Sequence, residues 1–174
     1  MKTVKKIWNA ISIILVSIIV LLAILLAGVR IVGLTPYSVL SGSMEPTYHV
    51  GSLIYVKDIE SADIKIGDPI TFVINEEFLA VTHRVVDIEI LTAGEEGIDE
   101  TTYYYQTKGD ANEEADAAPV HHKNVVGTPV FSIPYLGYLS VWLQTRMGMI
   151  MGISIALALL ILTFLPDFKV CKDH

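Results

Sequence analysis

Residues 69–90 read PITFVINEEFLAVTHRVVDIEI, and this stretch indicates the fold class of the chain. Pro69–Ile74 and Leu79–Ile90 are rich in Val, Ile and Thr, the residue types that strands favour. Between them, Asn75-Glu76-Glu77 supplies the polar residues of a turn. We therefore predict a β-hairpin over these residues.

Further strand-like runs lie on both sides of this hairpin. Val50–Val56 precedes it and Thr101–Gln106 follows it, each rich in Val, Ile, Thr or Tyr. Residues 92–100 are acidic and contain glycine, which predicts an exposed loop. Helical periodicity is indicated in Leu136–Thr145. The middle of the chain is thus expected to be a small, mainly β domain.

Two uncharged runs of 20 residues flank this domain, at 10–29 and 147–166. At about 1.5 Å per residue, a helix of this length spans roughly 30 Å, the hydrocarbon thickness of a bilayer. Both runs are therefore predicted to be transmembrane helices. For the first, a cleaved signal peptide is the alternative, but its apolar core is longer than usual and no convincing small-x-small site follows it.

The flanking charges predict the orientation of the chain in the membrane. Lys2, Lys5 and Lys6 precede the first run, whereas Arg30 alone follows it. The positive-inside rule then places the N-terminus in the cytoplasm. The predicted organisation is a cytoplasmic N-terminus, a membrane helix, an extracytoplasmic domain, a second membrane helix and a cytoplasmic tail, at 1–8, 9–29, 30–146, 147–166 and 167–174.

Composition excludes several classes of protein. The 174 residues include 52% hydrophobic and only 18% charged residues, and the mean hydropathy is +0.54, which excludes intrinsic disorder. Twelve Lys and Arg residues against 19 Asp and Glu residues argue against nucleic-acid binding. Residues 31–146 carry a net charge of −11, with 17 acidic and six basic residues. A single cysteine, Cys171, excludes a disulfide framework and a cysteine-built zinc site within one chain.

Three polar segments of the middle domain carry candidate chemical groups. The first is Ser41-Gly42-Ser43-Met44-Glu45-Pro46-Thr47, in which small neighbours leave a serine hydroxyl accessible. The second is Thr82-His83-Arg84-Val85-Val86, and the third is Thr107-Lys108-Gly109-Asp110-Ala111-Asn112. Taken singly, each is more typical of an ordinary structural role: a turn, a packed strand histidine and an Asp turn.

Taken together and in this order, these segments resemble the type I signal peptidases, specifically the ER-type branch with bacterial and archaeal members. S-G-S-M-x-P-T, K-I-G-D before a strand, H-R-V-V and K-G-D-x-N are successive family motifs. They span residues 37–112, and the predicted membrane helices extend the resemblance over most of the chain. The fold that the resemblance implies is a β-rich catalytic domain flanked by N- and C-terminal transmembrane helices.

The resemblance also implies roles for individual residues. Ser43 would be the nucleophile, and His83 stands where typical bacterial members have a lysine base. Imidazole titrates in the range that a general base requires without strong desolvation. Asp110 would orient His83, with Asp116 as the alternative acid, because the family often has a second acid nearby. The oxyanion hole would consist of the Ser43 backbone N–H and the Ser41 hydroxyl.

The implied function is that of a membrane serine endopeptidase. It would remove signal peptides from exported proteins, cleaving after small residues at positions −3 and −1. The implied partners are preproteins, the lipid bilayer and a secretion translocon, at the plasma membrane or alternatively the ER membrane. An inactive or accessory subunit of a secretion complex is the alternative function.

Other candidate residues are less well supported. No cofactor or metal is expected, although His121 and His122 are of a residue type that can bind metal ions. His49 is a competing base outside the family motifs, and Cys171 is a candidate lipidation site. Residues 127–139 fit either a segment at the lipid headgroups or a final core strand followed by a linker.

Overall fold

The computed structural model describes residues 2–74, 80–92 and 101–170. The predicted turn at residues 75–77, most of the predicted loop at residues 92–100, and Cys171 lie outside these ranges. The chain divides into two units, Arg30–Leu139 and a second one made of Met1–Val29 and Ser140–His174. They are described separately below.

The unit 30–139 is built on an antiparallel sheet, which confirms the mainly β prediction. Its strands pair in the spatial order β1-β2-β7-β3-β4-β5-β6. The strands are β1 Leu34–Ser38, β2 Leu53–Lys57, β3 Pro69–Val73, β4 Ala80–Leu91, β5 Thr102–Lys108, β6 Val120–His121 and β7 Val125–Ile133. Short 3-10 helices occupy Gly28–Val32, Ser61–Asp63 and His122–Asn124.

Strands β3 and β4 are antiparallel neighbours, as the hairpin prediction requires. Val73 lies opposite Ala80, and Ile70 lies opposite His83. Because successive residues of a strand point to opposite faces, His83 and Arg84 present their side chains on different sides of the sheet. This alternation determines which acidic residue each of them can reach.

Strand β7 joins the two halves of the sheet, since it pairs with β2 and with β3. Gly127 lies at the changeover with a φ of 148°, and a Cβ atom there would overlap the carbonyl oxygen of Lys57. Only glycine fits such a position. Of the two interpretations of residues 127–139, the structure therefore has a strand as far as Ile133.

One hydrophobic cluster of this unit lies around β3, β4 and β5 and contains six buried apolar residues. Tyr105, 0% exposed, reaches across it and donates a hydrogen bond from its hydroxyl to the carbonyl of Ser61 at 2.8 Å. The members are Ile64, Ile70, Phe72, Val85, Tyr105 and Val120. Burial of this kind, at about 25 cal/mol per Å² of apolar surface, holds the strands that carry the polar residues described below.

The second unit contains α1 (Lys2–Leu26) and α3 (Arg146–Val170), which contact each other. Within the described residues, the helical segment Lys6–Leu26 is long enough and apolar enough to span a membrane. The helix α2 (Leu136–Gln144) passes the same test only together with Arg146–Leu159, and the pair is bent by 102°. The predicted second run, 147–166, lies entirely within α3.

Thr145 separates these last two helices. Its hydroxyl donates to the carbonyl of Trp142 at 2.7 Å and accepts from the N–H of Gly148 at 3.0 Å. The second contact is an N-cap bond, which satisfies a free donor in the first turn of α3. The sequence therefore specifies a new helix start immediately before the apolar run.

Candidate active site

Ser43 lies in a loop between β1 and β2 that two backbone hydrogen bonds close. Val39 donates to the carbonyl of Ser52, and Gly51 donates to the carbonyl of Val39, both at 2.9 Å. Met44, the next residue after Ser43, is only 2% exposed and anchors the loop in the domain. The serine hydroxyl is thus presented at the surface from a fixed backbone.

The backbone carbonyl of Ser43 is attached to the turn that follows β5. Ala111 donates to it at 2.9 Å, and a Cβ atom on Gly109 would lie only 2.6 Å from the same oxygen. A side chain at position 109 would therefore push the two segments apart. The glycine of the K-G-D motif has a specific purpose here, which is close packing against the Ser43 loop.

His83 extends from β4 to this loop. Its Nε2 lies 3.1 Å from Ser43 Oγ, and the residue is 8% exposed. The ring of Phe72 stands edge-on to the imidazole, with the centroids 6.3 Å apart. Packing of this kind restricts the orientations of the imidazole, so that the sheet itself holds the contact between histidine and serine.

Asp116 completes a chain of hydrogen bonds with these two residues. Its Oδ2 lies 2.6 Å from His83 Nδ1, and the hydroxyl of Thr107 donates to the same oxygen at 2.6 Å. The N–H of Asp116 donates to the carbonyl of Thr107 at 2.8 Å, and Gln106 Nε2 donates to the carbonyl of Asp116 at 2.5 Å. The end of β5 therefore fixes this acid in place.

Asp110, the acid preferred from the sequence, contacts Arg84 instead of His83. Arg84 Nε and Nη2 donate to its two carboxylate oxygens at 2.8 and 2.6 Å, and Thr47 Oγ1 donates to Oδ2 at 2.5 Å. The expected contact between Asp110 and His83 is therefore replaced by one between Asp116 and His83. The physical reason is that Arg84 faces the opposite side of β4 and is bound there by Asp110.

This ion pair has electrostatic consequences. The hydrogen bonds from Arg84 lower the pKa of Asp110 below its ordinary value, against the opposing effect of burial. The same contact raises the pKa of Arg84. Burial raises the pKa of the nearby Tyr48 hydroxyl, so this phenol is neutral at physiological pH. Asp110 is therefore a charged, structural partner of Arg84 at neutral pH.

The contact between Asp116 and His83 is suited to one arrangement of the hydrogens. When Asp116 is ionised it only accepts hydrogen bonds, and the hydrogen of this contact then lies on His83 Nδ1. Nε2 then carries a lone pair and can accept the hydrogen of the Ser43 hydroxyl. This arrangement can transfer a proton from serine to histidine and stabilise the imidazolium that results.

Ser41 lies beside the reactive hydroxyl, with its Oγ 3.4 Å from that of Ser43. Ser41 is exposed. A hydroxyl at this distance, together with the backbone N–H of Ser43, is suited to donate to an oxygen that carries developing negative charge.

A cavity of about 250 Å³ adjoins Ser43. It lies between the segment 37–41, which continues from β1, and the start of β4 at 80–82. The two threonines of its wall, Thr71 and Thr82, hydrogen-bond each other at 2.8 Å. Their polar groups are thereby satisfied, and the cavity is lined mainly by apolar side chains, among them Val39, Met44 and Ile54.

The remaining candidates from the sequence lie elsewhere. His49 is exposed, with its Nδ1 3.8 Å from Glu45 Oε1. His121 and His122 stack on each other with centroids 4.5 Å apart, and His122 Nδ1 accepts from the N–H of Tyr103 at 3.3 Å. Within the described ranges, no group of three or more His, Cys, Asp or Glu side chains is arranged to hold a metal ion.

Two residues of the site were not identified from the sequence. Arg84 binds Asp110, and Thr107 binds Asp116. A signal for both is present, because Arg84 directly follows His83 in a strand and Thr107 is the penultimate residue of the strand that precedes the two acids. An arginine and a histidine on opposite faces each need an acidic partner, so both acids are used.

The sequence of the chain is similar to that of known proteins. The family model described as "Signal peptidase, peptidase S26" matches residues 11–129. The chain is 40% identical over 129 residues to "Signal peptidase I W" of Bacillus subtilis (strain 168), which covers 70% of the chain and 63% of that relative. It therefore spans less than two thirds of the length of this bacterial protein. The family inferred from the motifs is confirmed.

Eukaryotic proteins are also similar to the chain. It is 30% identical over 132 residues to "Signal peptidase complex catalytic subunit SEC11" of Lachancea thermotolerans, covering 70% of the chain and 73% of that protein. It is 29% identical over 110 residues to "Signal peptidase complex catalytic subunit SEC11C" of Canis lupus familiaris, covering 59% of the chain and 54% of that protein.

Proposed function

Because the chain belongs to the signal peptidase family, peptidase S26, we propose that it is a membrane-anchored serine endopeptidase that removes signal peptides from exported proteins. The observation that carries this proposal is the hydrogen-bonded chain Ser43–His83–Asp116, with distances of 3.1 and 2.6 Å. These are the distances that a nucleophile, its base and an orienting acid require. An inactive accessory subunit would have no need to keep all three in register.

In the first chemical step, Ser43 Oγ attacks the carbonyl carbon of the scissile bond while His83 Nε2 takes its proton. Asp116 stabilises the imidazolium, and the Ser43 N–H and the Ser41 hydroxyl donate to the oxyanion. Collapse of this intermediate breaks the carbon–nitrogen bond, and His83 gives its proton to the leaving amine. The signal peptide then remains as an ester on Ser43.

In the second step, water replaces the amine. His83 takes a proton from the water as it attacks the ester carbonyl, and returns that proton to Ser43 Oγ when the ester bond breaks. The signal peptide leaves as a carboxylate and the serine is regenerated. The residues present are sufficient for this reaction, because serine acyl transfer needs only protein side chains and water.

The cavity beside Ser43 is suited to the small residues at positions −1 and −3. Its volume of about 250 Å³ is shared along several residues of an extended chain, and its walls are mainly apolar. The strand β1 is at the end of the sheet order, and the segment 37–41 that continues from it borders the cavity. We propose that the substrate adds to this edge as a further strand.

The membrane placement supports this role. We propose that α1 and α3 both span the bilayer, with the N- and C-termini in the cytoplasm and residues 30–146 outside it. Lys6–Leu26 has the length and apolar character of such a span, and the lysines before it fit the orientation. Tyr135 and Tyr138, 77% and 57% exposed, have the amphipathic rings that favour the headgroup region.

The site of action is the plasma membrane, or alternatively the ER membrane, and the secretion translocon is the proposed neighbouring partner. Preproteins would arrive there as extended segments. Tethering in the same bilayer supplies a high effective concentration of the substrate.

The proposal is tested by preprotein cleavage in proteoliposomes that contain the full chain. Ser43→Ala and His83→Ala should both abolish the release of the mature protein, because each removes a group that moves the proton. His49→Ala is the matched control, since this histidine is exposed and its imidazole faces Glu45 at 3.8 Å. It should cleave at the wild-type rate. Cleavage by Ser43→Ala at the wild-type rate would refute the proposed function.

The topology is tested separately by cysteine labelling. In a chain with Cys171→Ser, one cysteine is introduced at the exposed Ala62. A membrane-impermeant thiol reagent should modify it only from the extracytoplasmic side. Modification from the cytoplasmic side would contradict the orientation.

A further inference from the structure

A second cavity, of about 310 Å³, adjoins the other side of the candidate active site. His83 and Asp116 form part of its wall, together with Phe72, Val81, Ala118 and Asn124. The first cavity is bordered by Ser43 and this one by His83, while Val81 contributes to both. The nucleophile and its base therefore each border a different cavity.

This division matches the two halves of the substrate in the proposed reaction. Ser43 Oγ forms its bond to the carbonyl carbon, so the signal-peptide half stays with the serine. The nitrogen on the other side of the broken bond takes its proton from His83 Nε2 and must lie within hydrogen-bond reach of it. The first residue of the mature chain is thus bound next to the imidazole.

We propose that this second cavity binds the side chain of the first mature residue and that it selects aliphatic over acidic side chains there. The inference rests on the proposed function and extends it to a second specificity site. The cavity is a feature of the 30–139 unit alone, formed by the end of β3, the start of β4, the segment 116–120 and Asn124.

The chemistry of the wall determines the selectivity. Phe72, Val81 and the segment Ala117-Ala118-Pro119-Val120 are apolar, and Phe72 is 5% exposed. The Oδ2 atom of Asp116 already makes hydrogen bonds with His83 and Thr107. The negative charge of the carboxylate nevertheless remains in the wall of the cavity. An acidic side chain would meet this negative charge without compensation. An aliphatic one would bury apolar surface, which is favourable.

The first test uses four peptides with the same signal-peptide half and Leu, Ala, Glu or Lys as the first mature residue. The kcat/KM values are measured with the full chain in proteoliposomes, because this parameter covers every step through release of the amine. For the wild type, the value for Leu should exceed that for Glu by about tenfold or more, the scale of one buried aliphatic side chain.

The second test fills the cavity. Ala118→Phe places a large ring at its exposed wall and should reduce the Leu-to-Ala ratio of kcat/KM by about tenfold. Ala62→Phe makes the same change at an exposed alanine that borders neither cavity, and should leave the ratio unchanged. A uniform loss for all four peptides in Ala118→Phe would overturn the inference, since a specificity site must discriminate.

The third test adds a charge. Asn124→Asp should raise the Lys-to-Glu ratio by about fivefold, because a carboxylate at the rim attracts one side chain and repels the other. Gln144→Glu is the control, with the same change from amide to carboxylate at an exposed residue outside both cavities. Equal ratios in the two variants would overturn the inference.

These outcomes are distinguishable from failure of the proposed function itself. If Ser43→Ala cleaved all four peptides at the wild-type rate, the proposed function would fail. If Ser43→Ala were inactive and the wild type cleaved all four peptides equally, the function would stand and the second specificity site would be rejected.

Discussion

Replacing Asp116 with asparagine tests the proposed site most directly. The change keeps the size of the side chain but removes the negative charge that lies 2.6 Å from His83 Nδ1. The imidazolium formed during the attack then loses the carboxylate that is hydrogen-bonded to it. We expect a severe loss of kcat with little change in folding, because the backbone of Asp116 keeps its bonds to β5.

The size of the loss can be estimated from the geometry. Opposite unit charges about 4 Å apart attract each other by about 4 kcal/mol at the effective dielectric of a site near the surface. That corresponds to about 10³-fold in rate, at about 1.4 kcal/mol per factor of ten. If the new amide also donates to Nδ1, the wrong tautomer forms and the loss approaches about 10⁴-fold.

Asp110→Asn is the matched control, because it makes the same change at the acid that contacts Arg84. Its cost should appear in stability, at about 2 kcal/mol for a hydrogen bond to a charged group. At a low temperature, where both variants are folded, we expect its kcat within about tenfold of the wild type.

The assay is single-turnover cleavage of a preprotein in proteoliposomes, with circular dichroism to confirm folding of each variant. The reasoning would be refuted if Asp110→Asn, fully folded, lost as much kcat as Asp116→Asn. A loss below about tenfold in Asp116→Asn would also refute it, because the charge would then contribute little.

Three further changes have expected outcomes. Ser41→Ala should lower kcat by about 10²–10³-fold with a smaller effect on KM, because its hydroxyl donates to the oxyanion; a larger effect on KM than on kcat would contradict that role. The pKa of Asp110 is lowered below 3.8 by Arg84, so its stabilisation is present above that pH and is lost as the pH falls through the folded-state value. Thermal unfolding in detergent should therefore show Asp110→Asn less stable than wild type near neutral pH, with the difference shrinking in acid; a constant difference would contradict the pairing. Gly127→Ala should lower the free energy of unfolding by more than about 2 kcal/mol, because the added Cβ would overlap Lys57. Gly33→Ala is the control, because position 33 has open space around it, and it should cost only about 1 kcal/mol. Equal costs would refute the steric argument.

Local patterns predicted much of the sheet. The runs around β2, β3, β4 and β5 are rich in strand-favouring residues, and the structure has strands there within a few residues of the expected bounds. The sequence alone leaves the start of residues 127–139 open between a strand and a segment at the lipid headgroups, because Gly127 and Pro129 interrupt the pattern of β7. Both residues lie where β7 changes partner, and Pro129 is opposite Val56 at a register shift in β2. Such residues look like loop signals until the pairing partner is known.

The acidic partner of His83 could not be assigned by spacing alone. Asp110 lies two residues after the end of β5, which makes it the nearer candidate in the sequence, whereas Asp116 lies further along the same connection. What decides between them is the three-dimensional path of residues 110–116, because Asp116 returns to Thr107 at the end of β5. A non-local contact of this kind leaves no periodic trace in the sequence.

The two acids have different physical tasks because they bind neighbouring residues on opposite faces of one strand. Asp116 places a negative charge next to the imidazole of His83, whereas Asp110 and Arg84 hold neighbouring backbone segments together. Arg84 also donates from Nη1 to the carbonyl of Gly67 at 2.7 Å, and Asp110 accepts from Thr47 in the Ser43 loop. One ion pair thus ties together the serine loop, the turn before β3 and the strand that carries His83.

This arrangement explains why the site needs an arginine rather than a lysine at position 84. Three donors of one planar guanidinium are used at once, two on Asp110 and one on the carbonyl of Gly67. A lysine ammonium is a single point charge and cannot make the bidentate contact in this geometry. The distance of 3.1 Å between Ser43 and His83 therefore depends on both faces of β4. One face carries the imidazole, and the other carries the ion pair that holds the serine loop against the strand.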